Sequence, residues 1–128
     1  MRTLIVEGCA DLGIVWQRHL LRLGVEADLA TSHADAVSAL EDATCADATY
    51  EVMVLDLMLE GGAALALSDY ASYRHPLMQV IFVTNSVFFS DGSIFNHCAN
   101  ARAFLPTGTP PEDLAAMVEH YGTNRQVI

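Results

Sequence analysis

The stretch Val52-Met53-Val54-Leu55-Asp56-Leu57-Met58-Leu59, followed at once by Glu60-Gly61-Gly62, decides the fold of this 128-residue chain. It is an apolar run broken by a single carboxylate and closed by a turn signal. A run of this length bounded by glycines predicts a strand buried on both faces of a parallel sheet. Asp56 then falls at the carboxyl end of the strand, where open α/β sheets place their ligand crevice. The alternative reading of Asp56 is local: a short acid capping the turn that the glycines make.

Working outward, strand and helix patterns alternate. Upstream, Thr3 to Val6 reads as a short strand ending at Glu7, with Gly8-Cys9-Ala10 as a loop. Asp11 is placed to cap a helix whose apolar face carries Leu12, Val15, Trp16, His19, Leu20 and Leu23, with Gly24 at the C′ position. Glu26 to Thr31 predicts a short edge strand, and Ser32 an N-cap for a helix over about 33–43 with Ala36, Val37 and Leu40 inward. Downstream, Ala63 to Tyr73 is helical by composition and His75-Pro76 stops it. Gln79-Val80-Ile81-Phe82-Val83-Thr84 is a second fully apolar strand ending in a hydroxyl. Ser93 is placed to cap a helix to about Ala99, and Ala103-Phe104-Leu105 makes a short last strand. Thr109-Pro110-Pro111-Glu112 combines a capping-box pattern with proline in the first turn, so a final helix is expected to Tyr121, before Gly122. The expectation is one α/β domain over 1–128, a doubly wound sheet of five parallel strands with five helices. The ordered core should span about 1–122, and residues 125–128 should fray.

Composition removes several classes of function. A net charge of −10 argues against nucleic acid as a direct partner, since phosphate backbones need basic surface. All six basic residues are arginines (Arg2, Arg18, Arg22, Arg74, Arg102 and Arg125), and the chain contains no lysine. Although 52 % of the residues are apolar, no apolar run approaches the roughly 18 residues of a membrane span. No signal peptide opens the sequence, so a cytoplasmic protein is expected. Cys9, Cys45 and Cys98 lack CxxC spacing, and the five histidines share no metal-binding spacing. There is no GxGxxG, P-loop or GxSxG motif.

Three strands end in polar side chains: Glu7, Asp56 and Thr84. In a parallel sheet these ends lie along one edge and can converge from distant positions. Two carboxylates with backbone oxygens are the donor set that a hard cation such as Mg²⁺ accepts. A nearby hydroxyl can bond an anion bound at, or attached to, Asp56.

In the order and spacing of these segments the chain resembles the receiver domains of bacterial two-component response regulators, over nearly its whole length. Residues 54–62 resemble the strand-three motif around the phospho-accepting aspartate, and Val80 to Thr84 the strand ending in the switch Thr/Ser. Ala103-Phe104-Leu105 resembles strand five with its switch aromatic, and Leu4-Ile5-Val6-Glu7 strand one with the first of two adjacent acids. The resemblance implies a flavodoxin-like, receiver-type fold in which Asp56 accepts a phosphoryl group from a histidine kinase or phosphotransfer protein. Mg²⁺ would be held by Glu7, Asp56 and the Met58 carbonyl, with Asp11 as a further candidate ligand beside its reading as a cap. Thr84 would bond the phosphoryl oxygens, and Phe104 would turn inward as Thr84 moves. Any enzymatic activity would be limited to the domain's own phosphorylation and dephosphorylation.

The sequence departs from that pattern at the chemistry. The second acid falls on Gly8, the invariant lysine on Thr107 and the following proline on Gly108. Arg102 lies on the wrong side of Phe104 to replace the lysine, and Glu60 adds negative charge near Asp56. Removing a hydrogen-bonded charge partner costs a few kcal/mol, so an atypical receiver with weak Mg²⁺ binding and altered phosphotransfer is expected. The alternative is a phosphorylation-independent pseudo-receiver acting as an interaction or dimerisation module. Val87, Phe88 and Phe89 are the candidate contact surface, the other reading being that they pack against the domain's own helix. A DNA-binding output domain does not fit in 128 residues, so output through a downstream protein partner or a homodimer is expected. A small flavodoxin-like enzyme is disfavoured, because no cofactor fingerprint is present.

Overall fold

Apolar runs too short for helices and bounded by turn residues become five parallel strands: β1 (Arg2–Val6), β2 (Glu26–Ala30), β3 (Val52–Asp56), β4 (Gln79–Thr84) and β5 (Ala101–Pro106). The computed structural model describes residues 2–45, 50–56, 63–84, 101–106 and 108–124. The strands pair in the order β2-β1-β3-β4-β5, all parallel. Four helices are present among the described residues: α1 (Ala10–Arg22), α2 (His33–Cys45), α3 (Ala63–Arg74) and α4 (Pro111–Asn124). The sheet and its doubly wound, flavodoxin-like class are those expected from the sequence. The fifth expected helix, at 93–99, lies outside the described residues.

The pleat sorts each strand between two cores. Leu4, Val6, Met53, Leu55, Val80 and Phe82 pack with Ala36 and Leu40 of α2 and Leu67 and Ala71 of α3. Ile5, Val52, Val54, Ile81 and Val83 pack on the other face with Trp16 and Leu20 of α1 and Leu114, Ala115 and Val118 of α4. Because helices cover both faces, β3 and β4 are buried at every position. This is the physical reason their sequences are apolar between the polar ends rather than alternating.

Local signals place most ends. The Ser32 hydroxyl accepts the Asp35 N–H at 3.1 Å and so caps α2. At the end of α1, Gly24 adopts φ +79°. Its N–H donates to Leu21 O, and the Val25 N–H to Leu20 O, both at 3.0 Å; the two bonds satisfy carbonyls that the helix end would otherwise orphan.

Three local expectations change. The N-cap of α1 is Cys9, with no side-chain cap bond, so Asp11 sits inside the first turn and acts through the helix dipole instead. The inward face of α1 is Leu12, Gly13, Trp16 and Leu20, while Val15 and Leu23 are 38 % and 46 % exposed. Before α4 the Thr109 hydroxyl donates back to Pro106 O at 2.7 Å rather than forming a capping box. The helix then starts at Pro111, whose missing N–H is no loss at N1. Gly122 lies within α4.

Candidate functional site

The chain leaves β1 to one side to build β2 and returns on the other side as β3. This reversal opens a crevice beyond the carboxyl ends of β1 and β3, the place where ligands bind in open α/β sheets. Register then decides which side chains meet there. Val6 pairs with Leu55, so the next residues out, Glu7 and Asp56, are neighbours. By the alternation of the pleat both belong to the face that carries Ile5 and Val54, covered by α1 and α4. Glu7 is 3 % and Asp56 8 % exposed. Two acids 49 positions apart are thus set side by side at the end of a buried sheet.

The electrostatics of the pair follow from burial. One oxygen of Glu7, Oε1, accepts the Cys9 N–H at 3.1 Å; the other, Oε2, is buried and has no donor. Burial, with the hydrogen bond and charge of Asp56 adding to it and the Cys9 N–H opposing it, pushes the Glu7 carboxyl up to about 7. Two ionised carboxylates only accept hydrogen bonds. A protonated Glu7 can donate to Asp56 instead.

Thr84 closes β4 and is 2 % exposed. Asp56 pairs with Val83, so Thr84 lies one residue further out on the neighbouring strand. Phe104 occupies the register position opposite Phe82, and its side chain falls outside the described part of the structure. Asp11 is exposed in the first turn of α1. Among the described residues no group of three His, Cys, Asp or Glu side chains is placed to hold a metal ion, so Asp11 does not complete a set with Glu7 and Asp56. Gly8 is exposed and a Cβ there would meet nothing within 4 Å. Met58, Glu60, Val87, Phe88, Phe89 and Thr107 lie outside the described residues.

The sequence reading missed the backbone donor of Cys9 and the upward shift of the Glu7 carboxyl. The first carries no side-chain signal. The second depends on the register of β1 against β3, which is known only once the strands are paired.

The pair also meets the elementary requirement of a hard cation. Two carboxylates, one with an orphaned buried oxygen, form an oxygen donor set suited to Mg²⁺. Glu7 and Asp56 would hold it, and bound there it would neutralise charge developing on a phosphoryl group at Asp56. With two acids rather than three, one of them competing for a proton, such a site would hold the cation weakly.

No protein-family model matches the chain, and no curated protein matches it. Its fold, however, is shared with solved receiver domains. A CheY-like response regulator receiver domain protein from Methanospirillum hungatei JF-1 superimposes with a TM-score of 0.84 at 19 % identity, over 98 % of this chain and 96 % of that one. A response regulator receiver domain protein from Clostridium thermocellum gives 0.80 at 17 %, covering 98 % and 97 %. The receiver domain of NtrX from Brucella abortus gives 0.79 at 22 %, covering 94 % and 98 %. At these identities the likeness establishes a receiver fold along the length of the chain.

Proposed function

We propose that this chain works as a receiver-type module of two-component phosphorelay signalling and accepts a phosphoryl group at Asp56 by altered chemistry. The observation that carries the reading is the adjacency of Glu7 and Asp56 in the crevice between β1 and β3, with Thr84 at the end of the next strand. An Asp56 carboxylate oxygen attacks the phosphorus of the donor, forming an O–P bond. The bond from phosphorus to the leaving group breaks, a histidine nitrogen of a kinase or phosphotransfer protein in the biological case. Glu7 is the acid that would share a weakly held Mg²⁺ with Asp56 and the Met58 carbonyl. The Thr84 hydroxyl would donate to a phosphoryl oxygen, and Phe104 would report that movement to a downstream protein.

The Glu7 proton explains why the chemistry should be slow. While Glu7 is protonated it donates to Asp56 and holds electron density away from the attacking oxygen. Once deprotonated it adds a second negative charge facing an anionic donor. Neither state supplies the cation that a missing lysine would have provided.

Incubation with a small-molecule phosphodonor and Mg²⁺, followed by intact mass measurement, tests the proposal. One phosphoryl group per chain in the wild type, absent from Asp56→Ala, is the expected result. Absence of the adduct in the wild type at saturating donor, or its persistence in Asp56→Ala, overturns it. A second reading is favoured by the burial of Glu7 against Asp56: a pseudo-receiver whose fold serves protein contacts without phosphorylation. It predicts no adduct and partner binding that Asp56→Asn leaves unchanged.

A further inference from the structure

The outer face of α1 has no role in the site just described. With Gly13, Trp16 and Leu20 turned to the sheet, the opposite stripe holds Asp11, Ile14, Val15, Arg18, Leu21 and Arg22, at helical steps of three and four. Ile14, Val15 and Leu21 are 36 %, 38 % and 54 % exposed. Of the six large apolar side chains exposed among the described residues, four lie on α1 or at its end, which marks this helix out as an unusual surface. Arg18 and Arg22 are exposed, and among the described residues neither forms an ion pair. Two of only six cations in a chain of charge −10 therefore stand on one apolar stripe.

We propose that this face docks a second copy of the chain, α1 against α1 in antiparallel orientation. The charge order argues for that occupant. The stripe is acidic at its amino end (Asp11) and basic at its carboxyl end (Arg18, Arg22). A two-fold axis across the middle of the helix, between Trp16 and Gln17, sets Asp11 opposite Arg22 of the second copy. It also sets the Ile14–Val15 pair opposite the aliphatic stem of Arg18 of the second copy. Both ends are satisfied at once, and the two helix dipoles oppose. A parallel arrangement would instead stack like charges. The face is short: 13 residues span about 20 Å, so the buried area falls below the roughly 1,200 Å² of a standard interface. The dimer should be weak, with a Kd on the order of 0.1 mM, and weaker in high salt.

Sedimentation over about 10 μM to about 1 mM tests this. The wild-type mass should rise from monomer towards dimer. Arg22→Asp should move the midpoint up by at least about tenfold, as should Asp11→Arg. An equimolar mixture of these two variants should associate again, since one chain is then basic at both ends of the stripe and the other acidic at both. Leu21→Ser, an exposed change, should weaken the dimer without altering the melting curve, and keeps the test open if Asp11→Arg does not fold. A wild type that stays monomeric throughout overturns the proposal, and so does a dimer indifferent to Arg22→Asp and Leu21→Ser.

Discussion

The two ends of strands β1 and β3 handle charge in opposite ways. At the amino end Arg2 opens β1 and gathers the acids around it. Its guanidinium lies 3.0 Å from Asp28 and 3.6 Å from Glu26, and its backbone N–H donates to Glu51 at 2.5 Å. It stacks 4.6 Å above the Tyr50 ring, whose hydroxyl donates to Asp28 at 2.6 Å. At the carboxyl end Glu7 is buried beside Asp56, and one backbone N–H is all that opposes the rise of its pKa. The first end pairs its acids with an arginine; the second sets two buried acids side by side. Buried acids with raised pKa values cost stability, and such groups cluster at functional sites. The contrast therefore sets an edge rich in ion pairs against one that gathers buried acids, within a single pair of strands.

The sharpest way to break that contrast is to remove the buried acid. Folded Glu7 titrates at about 7, above its ordinary 4.5. Between those values the folded chain keeps a proton that the unfolded chain has released. This carboxyl therefore makes stability fall as pH rises from about 4.5 to about 7, and the full penalty persists above 7. Below 4.5 it costs nothing. Glu7→Gln stays neutral and can still donate to Asp56. It should stabilise the protein by on the order of 2–3 kcal/mol at pH 8 and have a much smaller effect at pH 5. Urea denaturation at the two pH values measures this, and no gain at pH 8 would place a compensating cation at Glu7.

The opposite sign is expected at the other end. Arg2→Met removes two partly exposed ion pairs and a cation–π contact, and should destabilise by about 1–2 kcal/mol. The loss should shrink when the measurement is repeated in high salt, because the acids left behind are exposed and screened. Tyr50→Phe deletes only the hydroxyl bond to Asp28 and should cost about 1 kcal/mol, seen as a lower urea midpoint with unchanged slope.

How far these two edges could be read in advance depended on range. The sheet was legible because the interiors of β3 and β4 are continuous apolar runs, the pattern of strands covered on both faces. The ends of α2 and α1 were legible because Ser32 and Gly24 act on backbone groups a few residues away. Asp56 was legible because it is the lone polar residue of its strand. The inward face of α1 was less so, since Val15 and Leu23 satisfy helical spacing yet point to water, and burial is decided by the sheet beneath. Thr109 misled because a hydroxyl before prolines can donate backwards as readily as it can cap forwards. The Arg2 cluster and the adjacency of Glu7 and Asp56 are products of long-range register, which no local window contains.

The smallest expected effect bears most directly on the buried-acid edge. If Glu7 and Asp56 form a weak cation site, Mg²⁺ binds the folded chain alone and stabilises it by RT ln(1 + [Mg²⁺]/Kd). With a Kd near 10 mM, about 10 mM Mg²⁺ yields only about 0.4 kcal/mol. The cation must displace the Glu7 proton, so the shift should grow between pH 6 and 8 as that carboxyl ionises around 7. Gly8 gives the means to sharpen it. A Cβ there meets nothing within 4 Å, so Gly8→Asp can add a third carboxylate beside Glu7 without a steric cost. That variant should be less stable than wild type without metal, because like charges gather, and should show a severalfold larger Mg²⁺ shift at pH 8. Thermal melts with and without Mg²⁺ decide it. A variant no more responsive than wild type would mean that the crevice lacks the geometry for a cation.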